Sequence, residues 1–94
     1  MSLIDRLDAS RELYDLATEY RAEAWRWARS ECRIELLHNA RVCEEAARRA
    51  LGTCTLAEAD AIIEAARAGI ARVVSMRALL SAAYAPSREG KGQR

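Results

Sequence analysis

From Ser10 to Leu51 the chain mixes apolar and charged residues at helical spacing, and neither glycine nor proline interrupts it. Setting each residue about 100° further round an axis gathers Asp15, Glu19, Glu23, Arg26, Ser30, Arg33, Arg41, Glu44 and Arg48 in one sector. That sector predicts a solvated face, on which Glu44 with Arg48 and Glu45 with Arg49 form favourably oriented pairs one turn apart. The predicted element is a single helix over about residues 10–51, with residues 3–8 either continuing it or forming a short turn before it.

A second helical pattern runs from Leu56 to about Ala85, with an apolar stripe of Ala59, Ile62, Ile63, Ala66, Ile70, Val73, Val74, Leu80 and Tyr84. Its acids Glu58, Asp60 and Glu64 come early and its Arg67, Arg72 and Arg77 come late, which suits the helix dipole. Between the two patterns lies Leu51-Gly52-Thr53-Cys54-Thr55, where Gly52 predicts a left-handed cap on the first helix. Thr55 followed by Glu58 is a capping box for the second. The prediction is a tight turn over residues 52–55 joining two antiparallel helices. Gly69 sits inside the second helix at a cost of about 1 kcal/mol relative to alanine, either tolerated for a close crossing of another chain segment or present there by accident. Residues 86–94, opened by Pro86 and carrying two glycines, predict a disordered tail, so residues 1–85 form one helical domain.

The apolar surface of the first helix is too wide for one neighbour and divides into two seams. Tyr14, Ala17, Trp25, Ala28, Cys32, Leu36, Ala40, Cys43, Ala47 and Ala50 form the seam that runs into the turn, and it is assigned to the hairpin. Leu13, Leu16, Tyr20, Trp27 and Ile34 form the other, and Trp25 and Trp27 lie about 160° apart round the axis. Some 30 residues of second helix, folded back from the turn, cover only about residues 22–51 of the first. Leu3, Ile4, Leu7, Leu13, Tyr14, Leu16 and Tyr20 are then left bare unless the start of the chain folds back. At roughly 1.5–3 kcal/mol per buried large apolar side chain, this length predicts a homodimer of antiparallel long helices, with the second seam as its interface.

Composition narrows the class. Twenty alanines and fourteen arginines against one lysine describe an all-α chain, and its net charge of +1 is too small for a nucleic-acid footprint. The acidic residues near the start exclude a signal-peptide pattern, which predicts a cytoplasmic protein. Cys32, Cys43 and Cys54 recur every eleven residues, but on one helix that spacing is about 16 Å, beyond the roughly 7 Å that a disulfide spans. They predict reduced, packed thiols. His38 is the lone histidine and lacks a paired acid or nucleophile, and no phosphate loop or metal spacing is present, so the chain predicts a non-enzymatic protein without cofactor or metal.

What is left is interaction. Trp25, Trp27, Leu37, His38 and Tyr20 are the candidate partner surface, because aromatics concentrate in interface hot spots and Leu37 stands among charges. In size, all-helical make-up and lack of a DNA-binding unit, the chain resembles the small anti-activators that sequester LuxR-type quorum-sensing regulators, and its Ala/Arg-rich, lysine-poor composition fits a high-GC bacterium. The resemblance covers the architecture and carries over no individual residue. It implies competition for a regulator's own dimerisation surface, so that the regulator no longer binds its promoter. A phage-type inhibitor or assembly adaptor would use the same surface on another target, and an architectural nucleic-acid binder is the reading from a different class.

Overall fold

The computed structural model describes residues 2–83 and consists of three α-helices: α1 (Leu3–Ala24), α2 (Ser30–Ala50) and α3 (Leu56–Ala83). No strand occurs among the described residues, in line with the all-α reading. Ser2 starts α1 by accepting a hydrogen bond from the Asp5 amide at 3.1 Å, so residues 3–8 belong to the helix. Tyr84, the end of the second predicted helix at residue 85, and the tail at 86–94 lie outside the described residues.

The single helix expected over residues 10–51 is broken at Trp25–Arg29, and α1 folds back antiparallel on α2. The last turn of α1 tightens, with the Arg26 amide donating to the Glu23 carbonyl at 2.9 Å and the Trp27 amide to the Ala24 carbonyl at 3.3 Å. Side chains then hold the chain in the turn. The Trp27 indole donates to the Glu23 carboxylate at 3.2 Å, and the Arg33 guanidinium donates to the Trp27 carbonyl at 2.7 Å. Neither glycine nor a side-chain N-cap marks the break, since Arg29 precedes α2 without a capping bond.

Folding back removes the overhang from which the dimer seam was predicted. Leu13, Leu16 and Tyr20 are 0%, 4% and 4% exposed within one chain, and Trp27 is half-buried against the same core; of that seam only Ile34 stands bare. Conversely Tyr14 and Trp25, assigned to the hairpin, are exposed. The interior is built from small residues: Ala9, Ala17, Ala24, Ala40, Ala46, Ala47, Ala50, Ala59 and Ala66, with Cys43 and Cys54, let the helix backbones approach closely around a few larger side chains.

The second turn lies where the sequence places it, with different chemistry at its start. Gly52 does not have positive φ, and a Cβ there would meet nothing within 4 Å. The end of α2 is closed instead by backbone amides of residues 52, 53 and 54, all donating to the Arg49 carbonyl at 2.8–3.0 Å. Arg6 of α1 adds bonds to the carbonyls of Ala50 at 3.1 Å and Cys54 at 3.2 Å, satisfying acceptors that a helix end leaves open. The capping box of α3 forms as expected: the Glu58 amide donates to the Thr55 hydroxyl at 3.1 Å, and the Thr55 amide to the Glu58 carboxylate at 2.7 Å.

From that turn α3 runs in the direction of α1. Ala59, Ile63 and Ala66 are buried, and Ile62, Ile70 and Val73 pack partly against the core. Gly69 is explained by a close crossing, because a Cβ at that position would collide with the Tyr20 hydroxyl. Burial pushes the Tyr20 phenol above its ordinary pKa; it stays protonated and donates to the Ala66 carbonyl at 3.0 Å. At about 1.5 Å per residue α3 is about 42 Å long against about 33 Å for α1. Its last anchor is Arg77, and beyond it Leu79 and Leu80 are 71% and 42% exposed.

Candidate interaction surface

Glu23 organises the end of the bundle where α1 turns into α2. Its place in the charged sector predicted a solvated residue, yet the carboxylate is 1% exposed. A buried carboxylate is costly unless it is paired and hydrogen-bonded. Arg77 of α3 binds both of its oxygens, Arg26 donates at 3.2 Å, and the Trp27 indole supplies a further donor. Burial alone would push the carboxyl up; the Arg77 hydrogen bonds, with Arg26 and Trp27, outweigh it and hold Glu23 below the usual carboxylate range. One side chain thereby fixes the α1–α2 turn and docks α3 against it.

Pinning Trp27 inward leaves Trp25 outside. Trp25 is 64% exposed, and the Arg33 guanidinium lies over its ring, 4.8 Å from the centroid. Such a cation–π contact at a wet site contributes about 0.5–1 kcal/mol. On the outer face of α2, Ile34 is 67% exposed and His38, one turn further, is exposed beside it.

The five side chains predicted for a partner surface are therefore not one surface. Trp25 and His38 are accessible. Trp27 and Leu37 are half-buried and pack against the core, so Leu37 does not stand free among charges. Tyr20 is buried under Gly69 and takes no part. The charged face is also paired differently: Glu44 reaches across to Arg21 at 2.5 Å, which lowers its carboxyl pKa through that hydrogen bond, while Glu45 takes Arg48 at 2.6 Å.

One further surface escaped the sequence reading. Between α2 and α3 runs a groove whose upper part, about 280 Å³, is lined by Trp27, Leu36, Val73 and Met76 with Glu35 and Arg72 on its rims. Its lower part, about 260 Å³, continues past Gly69 to Val42, Ile62 and Ala65. Met76 and Leu79, 55% and 71% exposed, stand beside it. They fall one flank away from the α3 stripe, and Gly69 at helical spacing from Met76 was the available signal of a cleft. At the opposite end Leu3, Ile4, Leu7 and Tyr14, which the length argument left without a partner, are exposed together with Leu51.

Cys32 is half-buried, Cys43 and Cys54 are buried, and all three are free thiols. Among the described residues no group of three His, Cys, Asp or Glu side chains is placed to hold a metal ion, and no helix is long and apolar enough to cross a membrane. Compared with protein families, with curated proteins and with solved structures, the chain matches none of them.

Proposed function

We propose that this protein acts by binding another protein through the apolar end formed by Trp25 and Ile34, without chemistry of its own. The observation that carries the reading is an inversion of size: alanines fill the interior while Trp25, Ile34, Met76 and Leu79 are more than half exposed. Large exposed apolar side chains rimmed by charge mark interaction sites. An exposed tryptophan stacked under Arg33, with a bare isoleucine in the first turns of α2, provides anchors of the kind that dominate binding energy.

The partner in this reading is a transcriptional regulator of the LuxR type, whose dimerisation and promoter binding the protein would block by occupying its helical surface. The all-helical make-up and the absence of a strongly basic balance support a protein partner over a DNA target. A gel-shift titration tests it: purified regulator is bound to promoter DNA and this protein is added. Loss of the shifted band with wild type, and its persistence with Trp25→Ala and Ile34→Arg, is the expected result. Both side chains are largely exposed, so the variants retain their helical spectra. Regulator that stays on DNA at a large excess of wild type rejects the reading.

A further inference from the structure

We infer that the bare face at the end of α3 binds the bare face at the start of α1 on a second copy of this chain, with the two helices antiparallel. The reversal at Trp25–Arg29 buries Leu13, Leu16 and Tyr20 but leaves Leu3, Leu7 and Tyr14 exposed. With successive residues about 100° apart, these three fall within about 40° of one another round α1. Leu7 and Tyr14, with Leu51 at the end of α2, line a depression of about 370 Å³. On α3, exposed Met76 and Leu79 stand on either side of Arg72, within about 60° of each other. The two stripes, residues 3–14 and 72–83, have equal length, about 16 Å of helix each.

Charge identifies the occupant. Beyond Glu64, α3 carries Arg67, Arg72 and Arg77 and no acid. Glu12 holds Arg67 and Glu23 holds Arg77, whereas Arg72 is in no ion pair among the described residues. The depression on α1 is bordered by Asp8 and Asp15, likewise unpaired among the described residues, against the single base Arg11. Either face laid on its own copy would repeat its charge, arginine on arginine or aspartate on aspartate. The contact therefore joins unlike surfaces, residue i of one copy on residue j of the other. Antiparallel alignment sets Leu79 level with Leu7, Ala83 with Leu3, and Arg72 with Tyr14 and its neighbour Asp15. The arginine then meets both a carboxylate and an aromatic ring. Parallel alignment would set the same charge level with Leu3. A foreign helix would have to supply an acid-flanked apolar stripe of this length; the chain already carries one. Neither stripe contains Trp25 or Ile34, so the inference stands or falls independently of the partner proposed above.

Sedimentation equilibrium on the full chain between about 5 and 200 µM tests it. The wild-type mass is expected to rise with concentration from 10.5 kDa to about 21 kDa or above. Leu79→Asp and Leu7→Asp, each on a different face, are each expected to weaken association at least about tenfold, as loss of a central apolar anchor does. Mixed together they are expected to associate again, because the first variant keeps the α1 stripe and the second keeps the α3 stripe. Arg72→Asp and Asp15→Arg are each expected to weaken association, and both changes in one chain to restore it. All four positions are exposed, and unchanged circular dichroism confirms that each variant is folded. Wild type that remains 10.5 kDa throughout overturns the inference. So does a mixture of the two leucine variants that stays monomeric while wild type associates, which would show a face binding its own copy. A charge swap that fails to restore association removes the Arg72–Asp15 register and with it the antiparallel alignment.

Discussion

Gly69→Ala reverses the sign of its effect according to the residue at position 20. On an isolated helix the substitution gains about 1 kcal/mol, because alanine loses less backbone entropy than glycine. In this chain the added methyl collides with the Tyr20 hydroxyl, which is buried and bonded to the Ala66 carbonyl at 3.0 Å. Overpacking costs about 1–3 kcal/mol, and displacing the hydroxyl forfeits about 1 kcal/mol of hydrogen bond. The net expectation is a loss of about 1–3 kcal/mol. Tyr20→Phe alone costs about 1 kcal/mol, but it removes the colliding atom. The nearest Tyr20 ring atom to the new methyl is then at 3.6 Å, an ordinary van der Waals distance. In that background Gly69→Ala is expected to stabilise by about 1 kcal/mol. Urea unfolding followed by circular dichroism, on the four proteins of the cycle, gives a coupling of about 2 kcal/mol or more. A Gly69→Ala effect of the same sign in both backgrounds would refute the close crossing.

Three other outcomes follow from local chemistry. Thr55→Ala, which deletes the α3 cap, is expected to lower unfolding free energy by about 1 kcal/mol without changing helix content at 20 °C, as urea titration reads. Because Glu23 is held below its ordinary pKa of 4.5, its stabilisation is present above that value in the unfolded chain and is lost as pH falls through the lower folded value. Glu23→Gln is therefore expected to be less stable than wild type at pH 7, with the gap narrowing at acid pH; parallel stability curves from pH 2 to 7 would contradict the network. Burial, then the neighbouring Glu44 charge, pushes the Cys43 thiol up, so Ellman's reagent at pH 8 is expected to modify half-buried Cys32 first and Cys43 only on unfolding, with peptide mapping as the readout.

The part of the fold that rests on neighbouring residues was legible in the sequence. Thr55 and Glu58 are three residues apart, so the start of α3 shows in the pattern and in the structure alike. The break at Trp25–Arg29 was not legible, because it depends on a residue 54 positions away: Arg77 reaches back to Glu23 and makes burying that carboxylate favourable. A helical wheel can only set Glu23 among its charged neighbours. The misfit was visible, since Trp25 and Trp27 faced opposite ways and Leu13, Leu16 and Tyr20 had no partner. A second copy and a reversal of the chain both resolve it, and the tertiary network selects the reversal. Of the candidate surface, Trp25 and His38 were named from composition and spacing and are accessible, whereas Ile34 was placed in the dimer seam and stands bare instead. Tyr20, Trp27 and Leu37 were misassigned because their exposure depends on where α1 folds back. Gly52 illustrates the reverse error, a cap inferred from residue type where Arg6 and the Arg49 carbonyl close the helix instead.

The alanine interior makes the chain fragile in an uncommon direction. In most cores the damaging substitution removes mass and leaves a hole; at Ala24, Ala40, Ala46 and Ala47, each fully buried, there is almost no mass to remove. Here harm comes from growth, since a valine in place of any of them must push two helix backbones apart. A saturation map of this protein would be intolerant at its smallest buried residues and permissive for folding at bulky exposed ones such as Trp25, Ile34 and Leu79. The bulky positions are thereby free to vary under selection from whatever binds them, while the bundle beneath keeps its shape.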